Sequence, residues 1–385
     1  MKIFKLILIV GVALLICLPG YSQLLTTGLS SFTFTQYHPF RNKPIKVYTY
    51  VPAGGNQQTM PVLMVFHGEE RDANNNVTDW VAAANQYKFI VLAPEFLDSY
   101  FPGGDGYNLA NMFVDGDNPS FSTLNPDSVW TFSVLDPLFL YVKQRTQSTT
   151  TSYRCFGHSA GSQFITKYLL YKPNSLMDKA VCANAGWYTM PDLSLNFPYG
   201  TKISPATIPS LKAAFAHPML VMLGTADNDP NSAGLRHNSI VDLQGLNRLA
   251  RGRYFINNSR VIANNMSTWY NWNSVEVPGV GHDHYQMALR AVPYIVDSFT
   301  GVTMPKTHSI KAWLGEGSIH VAGLDAGEGY KISVTGITGQ EYFTASGKYS
   351  ENEIIPFTYE SSVMYILELK AENSGTIYKK LIAIP

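Results

Sequence analysis

Two stretches of this 385-residue chain, Val62-Leu63-Met64-Val65-Phe66 and Met219-Leu220-Val221-Met222-Leu223, contain no polar residue. A strand with one wet face would alternate in polarity, so these runs predict strands covered on both faces, as in a parallel sheet between two helical layers. Other β-rich runs at Ile45–Val51, 89–93, 153–156, 180–183 and 275–277 alternate with segments of helical length, among them 134–146, 162–171 and 284–299. That βαβ rhythm predicts an α/β domain built on a mostly parallel sheet with helices on both faces. Beyond it the texture changes: after a linker expected at 303–308, residues 309–385 alternate in period two between Gly and Ser turns, as in a small all-β sandwich.

The N-terminus sets a compartment. Lys2 and Lys5 precede an apolar run from Leu6 to Leu18, and Gly20-Tyr21-Ser22 supplies small residues for cleavage. This is the pattern of an export signal at 1–22, with a mature chain from Gln23 and a catalytic domain at 23–302. The 13-residue run is shorter than the roughly 20 a membrane span needs, and no other segment approaches that length. Hydrophobic residues make up 45% of the chain and charged residues 15%, which excludes disorder. Lys plus Arg and Asp plus Glu stand at 28 each, so no net field attracts a nucleic acid. Beyond the signal only Cys155 and Cys182 remain; they read as two buried thiols on neighbouring strands, with a single bridge as the alternative.

The chemistry gathers at strand ends. Gly157-His158-Ser159-Ala160-Gly161 lies between the strand ending near Phe156 and a helical segment. A tight strand-to-helix turn thrusts a Ser out of the sheet, and flanking Gly residues let the neighbouring elements close in. A neutral Ser needs a base, and the base needs a carboxylate to hold its tautomer. Asp227 follows the strand 219–223, and His282 follows the strand at 275–277. Asp229 and Asp192 are alternative acids. His67-Gly68-Glu69 leaves the strand 62–66, so the amides of Ala160 and Glu69 are expected to bind an oxyanion, with His67 structural. Trp187, Tyr188, Tyr107, Tyr100 and Arg71 are expected at the pocket walls. His282-Asp283-His284 can be read as a metal pair, but no further His or Cys cluster completes a shell, and no metal is expected. No dinucleotide or phosphate loop is present, so no cofactor is expected.

At His67-Gly68, the Gly157 to Gly161 elbow, Gly224-Thr225-Ala226-Asp227 and Gly281-His282, the chain resembles the α/β-hydrolase superfamily. Within it the similarity is to secreted serine esterases such as polyhydroxybutyrate depolymerases, feruloyl esterases and acetylxylan esterases. The order Ser159, Asp227, His282 and the position of Arg71 fit that group. The tail resembles the C-terminal sorting domain of type IX secretion at Val334 to Gln340, Tyr365 to Leu369 and Tyr378 to Ile384, though Leu314-Gly315-Glu316-Gly317 replaces the Pro-Asn-Pro opening common there. The resemblance implies a secreted enzyme that cleaves carboxylic esters, on polysaccharide-linked or polyester substrates, and that engages outer-membrane secretion machinery. The alternatives are a serine peptidase or amidase of the same fold, and a non-catalytic surface protein that binds glycans.

Overall fold

The computed structural model describes residues 24–296, 311–315, 317–322, 324, 327–336, 340–350, 353–358, 364–372 and 377–383. The expected signal at 1–22 and linker at 303–308 lie outside the described residues. The chain divides into two compact units, Met1–Thr300 and Gly301–Pro385.

In the first unit eight strands form one sheet: β1 (Gly28–Phe34), β2 (Ile45–Val51), β3 (Val62–Phe66), β4 (Ile90–Glu95), β5 (Tyr153–His158), β6 (Met177–Ala183), β7 (Met219–Gly224) and β8 (Trp272–Val277). Their spatial order is β1-β2-β4-β3-β5-β6-β7-β8. β2 runs antiparallel to β1 and β4, and the pairings from β4 through β8 are parallel. This is the α/β-hydrolase fold. Successive side chains of β3 enter two different cores: Val62, Met64 and Phe66 pack in one cluster with Phe164 and Phe255, whereas Leu63 and Val65 pack in another with Trp80 and Met287. Both faces of the strand are therefore dry, which is why its sequence lacks alternation.

The helices are α1 (Ala73–Thr78), α2 (Val81–Tyr87), α3 (Gly103–Gly106), α4 (Leu135–Thr146), α5 (Ala160–Tyr171), α6 (Ile208–Ala216), α7 (Arg248–Asn265) and α8 (His284–Val296). Strand order reverses at β3, which has β4 on one side and β5 on the other, and ligands in such sheets bind outside the strand ends at this crevice. β3 delivers His67-Gly68 there, and β5 delivers Ser159.

Among the described residues, the second unit holds seven strands: β9 (Lys311–Gly315), β10 (Ser318–Ala322), β11 (Gly329–Gly336), β12 (Glu341–Lys348), β13 (Ile354–Pro356), β14 (Met364–Ala371) and β15 (Ile377–Ala383). They form antiparallel sheets of order β13-β10-β9 and β12-β11-β14-β15. Ile319 and Val321 of the smaller sheet share one buried cluster with Ile332, Val334, Leu367 and Leu369 of the larger.

Candidate active site

Local sterics fix the turn after β5. A β-carbon on Gly161 would lie 2.2 Å from the Phe66 carbonyl oxygen, and one on Gly157 would lie 2.5 Å from the Gly161 carbonyl carbon. Only glycine lets α5 approach β3 and β5 this closely. Ser159 between them has φ 56° and ψ −117°, a region that costs a non-glycine residue about 1–3 kcal/mol. Its amide is anchored on the Ala183 carbonyl at 2.9 Å, and the surrounding sheet maintains the strain.

Three side chains from three strand ends converge. The Ser159 hydroxyl lies 3.0 Å from His282 Nε2, and His282 Nδ1 lies 2.7 Å from Asp227 Oδ2. A carboxylate only accepts, so Nδ1 carries the proton and Nε2 turns its lone pair to the hydroxyl. The two loops that carry Asp227 and His282 are laced together. The Ala226 amide donates to the Val280 carbonyl at 2.9 Å, and a β-carbon on Gly224 would strike that oxygen at 2.4 Å. Asn184, just past β6, accepts from the Gly224 amide at 2.8 Å and donates to the Gly281 carbonyl at 2.9 Å, clamping both loops. Asp229 instead accepts from the Asn231 amide at 2.8 Å, and Asp192 from the Ser194 amide at 2.7 Å. Both cap turns, and the histidine ion pairs among the described residues go to Asp227, Asp242 and Asp79 instead.

His67 is fully buried: its Nδ1–H donates to the Gly68 carbonyl at 2.9 Å, and its Nε2 accepts from the Phe96 amide at 3.1 Å. Burial pulls its pKa down to about 4, so it is neutral. It pins the β3 exit to the end of β4. A β-carbon on Gly68 would sit 3.8 Å from Ser159 Cβ, which brings the 68–69 peptide alongside the serine. Neither the Glu69 nor the Ala160 amide donates to a described residue.

The serine opens on a cleft of about 300 Å³. Trp187 lines it, with the Lys167 ammonium 4.3 Å from its ring centroid and the Arg236 guanidinium at 5.3 Å. Tyr188 does not. Its ring is buried and stacks on Phe255 at 4.4 Å, because the chain turns it inward toward α7. Tyr100 packs half-buried against the core rather than lining the cleft. Tyr107 borders the cleft, but its side chain is fully buried and its hydroxyl donates to the His67 carbonyl at 2.7 Å. Arg71 lines the wall with its guanidinium bound to the carbonyls of Phe96, Phe101 and Gly103. Sequence reasoning missed Gln163, Arg236 and Arg248 in this lining, and Asn184 behind it. A larger depression of about 550 Å³ lies by Met177 and Pro218, at the opposite ends of the strands from the serine.

Beside these three side chains, His158 is buried with its ring 4.5 Å from that of His282. Burial, and then the neighbouring imidazoles and Arg248, push its pKa well down. His284 pairs with Asp79 at 2.6 Å, which raises its pKa, so His282 and His284 serve different partners. Cys155 and Cys182 are free and buried, opposite Ala180 and Gly157 respectively in the β5–β6 register. Burial lifts both thiols, Cys182 to about 12. Among the described residues no group of three or more His, Cys, Asp or Glu is placed to hold a metal ion.

The fold and this strand-end arrangement define a hydrolase of the α/β-hydrolase class. Among solved structures, poly(aspartic acid) hydrolase-1 from Sphingomonas sp. KT-1 is 34% identical with a TM-score of 0.66, matching 70% of this chain and 99% of its own. A poly(3-hydroxybutyrate) depolymerase from Bordetella parapertussis is 26% identical, also with a TM-score of 0.66, over 73% of this chain and 92% of its own. No family model and no curated protein matches the chain. The chain belongs to the family of poly(aspartic acid) hydrolase-1.

Proposed function

We propose that the protein is a secreted serine hydrolase that cleaves carboxylic esters through an acyl-enzyme on Ser159. The observation that carries this reading is the unbroken relay from Ser159 through His282 to Asp227, at 3.0 and 2.7 Å. Ser159 Oγ attacks the carbonyl carbon while its proton passes to His282 Nε2, and Asp227 holds the imidazolium. The Glu69 and Ala160 amides receive the developing oxyanion; losing one such donor costs about 10²–10³ in turnover. His282 then protonates the leaving alcohol, and water repeats the sequence to free Ser159. Polyester or polysaccharide-linked esters are the proposed substrates.

A second reading, amide hydrolysis in an acidic polymer, is favoured by the partly exposed Arg236 on the cleft wall and by the name of the Sphingomonas relative. A purely glycan-binding surface protein has no need of the relay. Secretion is proposed from the sequence: export by residues 1–22, then passage through outer-membrane machinery recognising the C-terminal unit. Among the described residues no helix is long and apolar enough to cross a membrane.

The test is turnover of a short-chain nitrophenyl ester, a feruloyl methyl ester and poly(aspartic acid) by the full chain, beside Ser159→Ala. Hydrolysis of an ester that falls about 10³-fold or more in the variant supports the reading. Cleavage of poly(aspartic acid) alone transfers it to amides, and equal inertness of both proteins rejects it.

A further inference from the structure

We propose that Arg248 is a positioning residue for Asp227 and, through it, for His282; the inference rests on the Ser159 relay proposed above. Asp227 lies at the start of the long β7–α7 connection and Arg248 at its end, as the first residue of α7. The connection between them brings Gly234 and Arg236 to the cleft. Arg248 therefore closes the base of a substrate-facing loop onto the acid of the relay.

The contacts are specific. Its side chain is 5% exposed, and Nη1 donates to Asp227 Oδ1 at 3.4 Å and to Ser232 Oγ at 2.6 Å. Nη2 donates to the Ala233 carbonyl at 3.3 Å. The next amide along α7, that of Leu249, donates to the Asp227 carbonyl oxygen at 3.2 Å. Asp227 is thus held at its backbone and at both carboxylate oxygens, Oδ2 by His282 and Oδ1 by Arg248.

The torsion that turns a carboxylate about its own axis is broad, so one hydrogen bond leaves its plane loosely set and two fix it. The plane of Asp227 sets the plane of the His282 ring, and with it the direction of the Nε2 lone pair. Arg248 also balances the charge of Asp227, which is 3% exposed at its side chain and whose other carboxylate oxygen meets the His282 imidazole. A residue that merely closed a loop would need the contacts to Ser232 and Ala233 but not the one to Asp227, and this difference can be measured.

The readout is the rate at which Ser159 is modified by a fluorophosphonate, which needs no knowledge of the substrate. The proteins are the full chain, Arg248→Met, Asp227→Asn, the double variant and Arg248→Lys, each with its melting temperature. Arg253→Gln, on an exposed ion pair of the same helix with Glu276, is the control and should react like the parent. Arg248→Met is expected to react about 10- to 100-fold more slowly, yet to change the rate less than about threefold when Asp227 is already Asn, because coupled residues are non-additive. Arg248→Lys keeps the charge but not the forked donors, and is expected about three- to tenfold below the parent. An equal fall in both backgrounds, or a parent-like rate in Arg248→Met, overturns the proposal. Should Arg248→Met not fold, Arg248→Lys decides: the stated fall at an unchanged melting temperature supports the proposal, and a parent-like rate overturns it. A parent that reacts no faster than Ser159→Ala instead rejects the relay itself, and this inference with it.

Discussion

The buried imidazole of His67 makes acid stability a quantitative test of how the β3 exit is held. Protonation would put a second N–H on the ring at Nε2, facing the Phe96 amide that now donates to it. The two donors would oppose each other inside a site with no exposure to water. Its pKa in the fold is about 4 against an ordinary 6.5. The unfolded chain therefore takes up the proton first. The stabilisation is full above about pH 6.5 and is lost as pH falls through that value toward 4. The limiting loss is about 3 kcal/mol, and at pH 5 it is about 2 kcal/mol. For a unit of this size that corresponds to a fall of roughly 4–8 °C in melting temperature. His67→Gln keeps a neutral polar group but removes the titration. Melting of both proteins between pH 8 and 5 isolates this contribution, since every other group is common to the two. The parent should lose about 2 kcal/mol more than the variant over that interval. Parallel losses would refute a neutral, hydrogen-bonded His67.

Three further outcomes follow from other contacts. In Gly161→Ala the new methyl meets the Phe66 backbone oxygen at 2.2 Å, which cannot swing away, so a loss of about 3 kcal/mol in urea unfolding and a displaced Ser159 with slower labelling are expected. Lys167 is 1% exposed, its ammonium has no hydrogen-bond partner among the described residues, and burial lowers its pKa to about 7. A depressed lysine loses stability as pH falls from about 10.5 to 7, so Lys167→Met should exceed the parent by about 2–4 kcal/mol at pH 6; a lower melting temperature would contradict this. Asn184→Asp keeps the acceptor for the Gly224 amide but sets an oxygen against the Gly281 carbonyl, and should slow Ser159 labelling about tenfold with little change in reagent affinity.

How much of this was legible in the sequence depends on how far each feature reaches along the chain. The elbow at Gly157 to Gly161 is local, and the continuous apolar runs 62–66 and 219–223 directly reflect burial on both faces. Strand-end placement alone favoured Asp227 over Asp229, and the hydrogen bond to His282 is what distinguishes them geometrically. β1 is not legible because it is an edge strand whose exposed positions, Leu29, Ser31 and Thr33, and half-buried Ser30 break the alternation of apolar and polar residues. Nor is α7, whose arginines and asparagines dilute its apolar stripe. Tyr188 was misplaced because an aromatic next to Trp187 gives no sign of which way the chain turns. Arg248 and Asn184 were invisible for a different reason: their partners lie 21 and 40 or more residues away, and nothing in local composition marks them.

Mapping a fluorophosphonate adduct tests whether Ser159 is a nucleophile activated by His282. The full chain, Ser159→Ala and His282→Ala are treated with the reagent, digested and analysed by peptide mass. One adduct is expected on the peptide carrying Ser159, absent from Ser159→Ala and formed at least about 10³-fold more slowly in His282→Ala. No adduct on the parent, or an equal rate in His282→Ala, would contradict it.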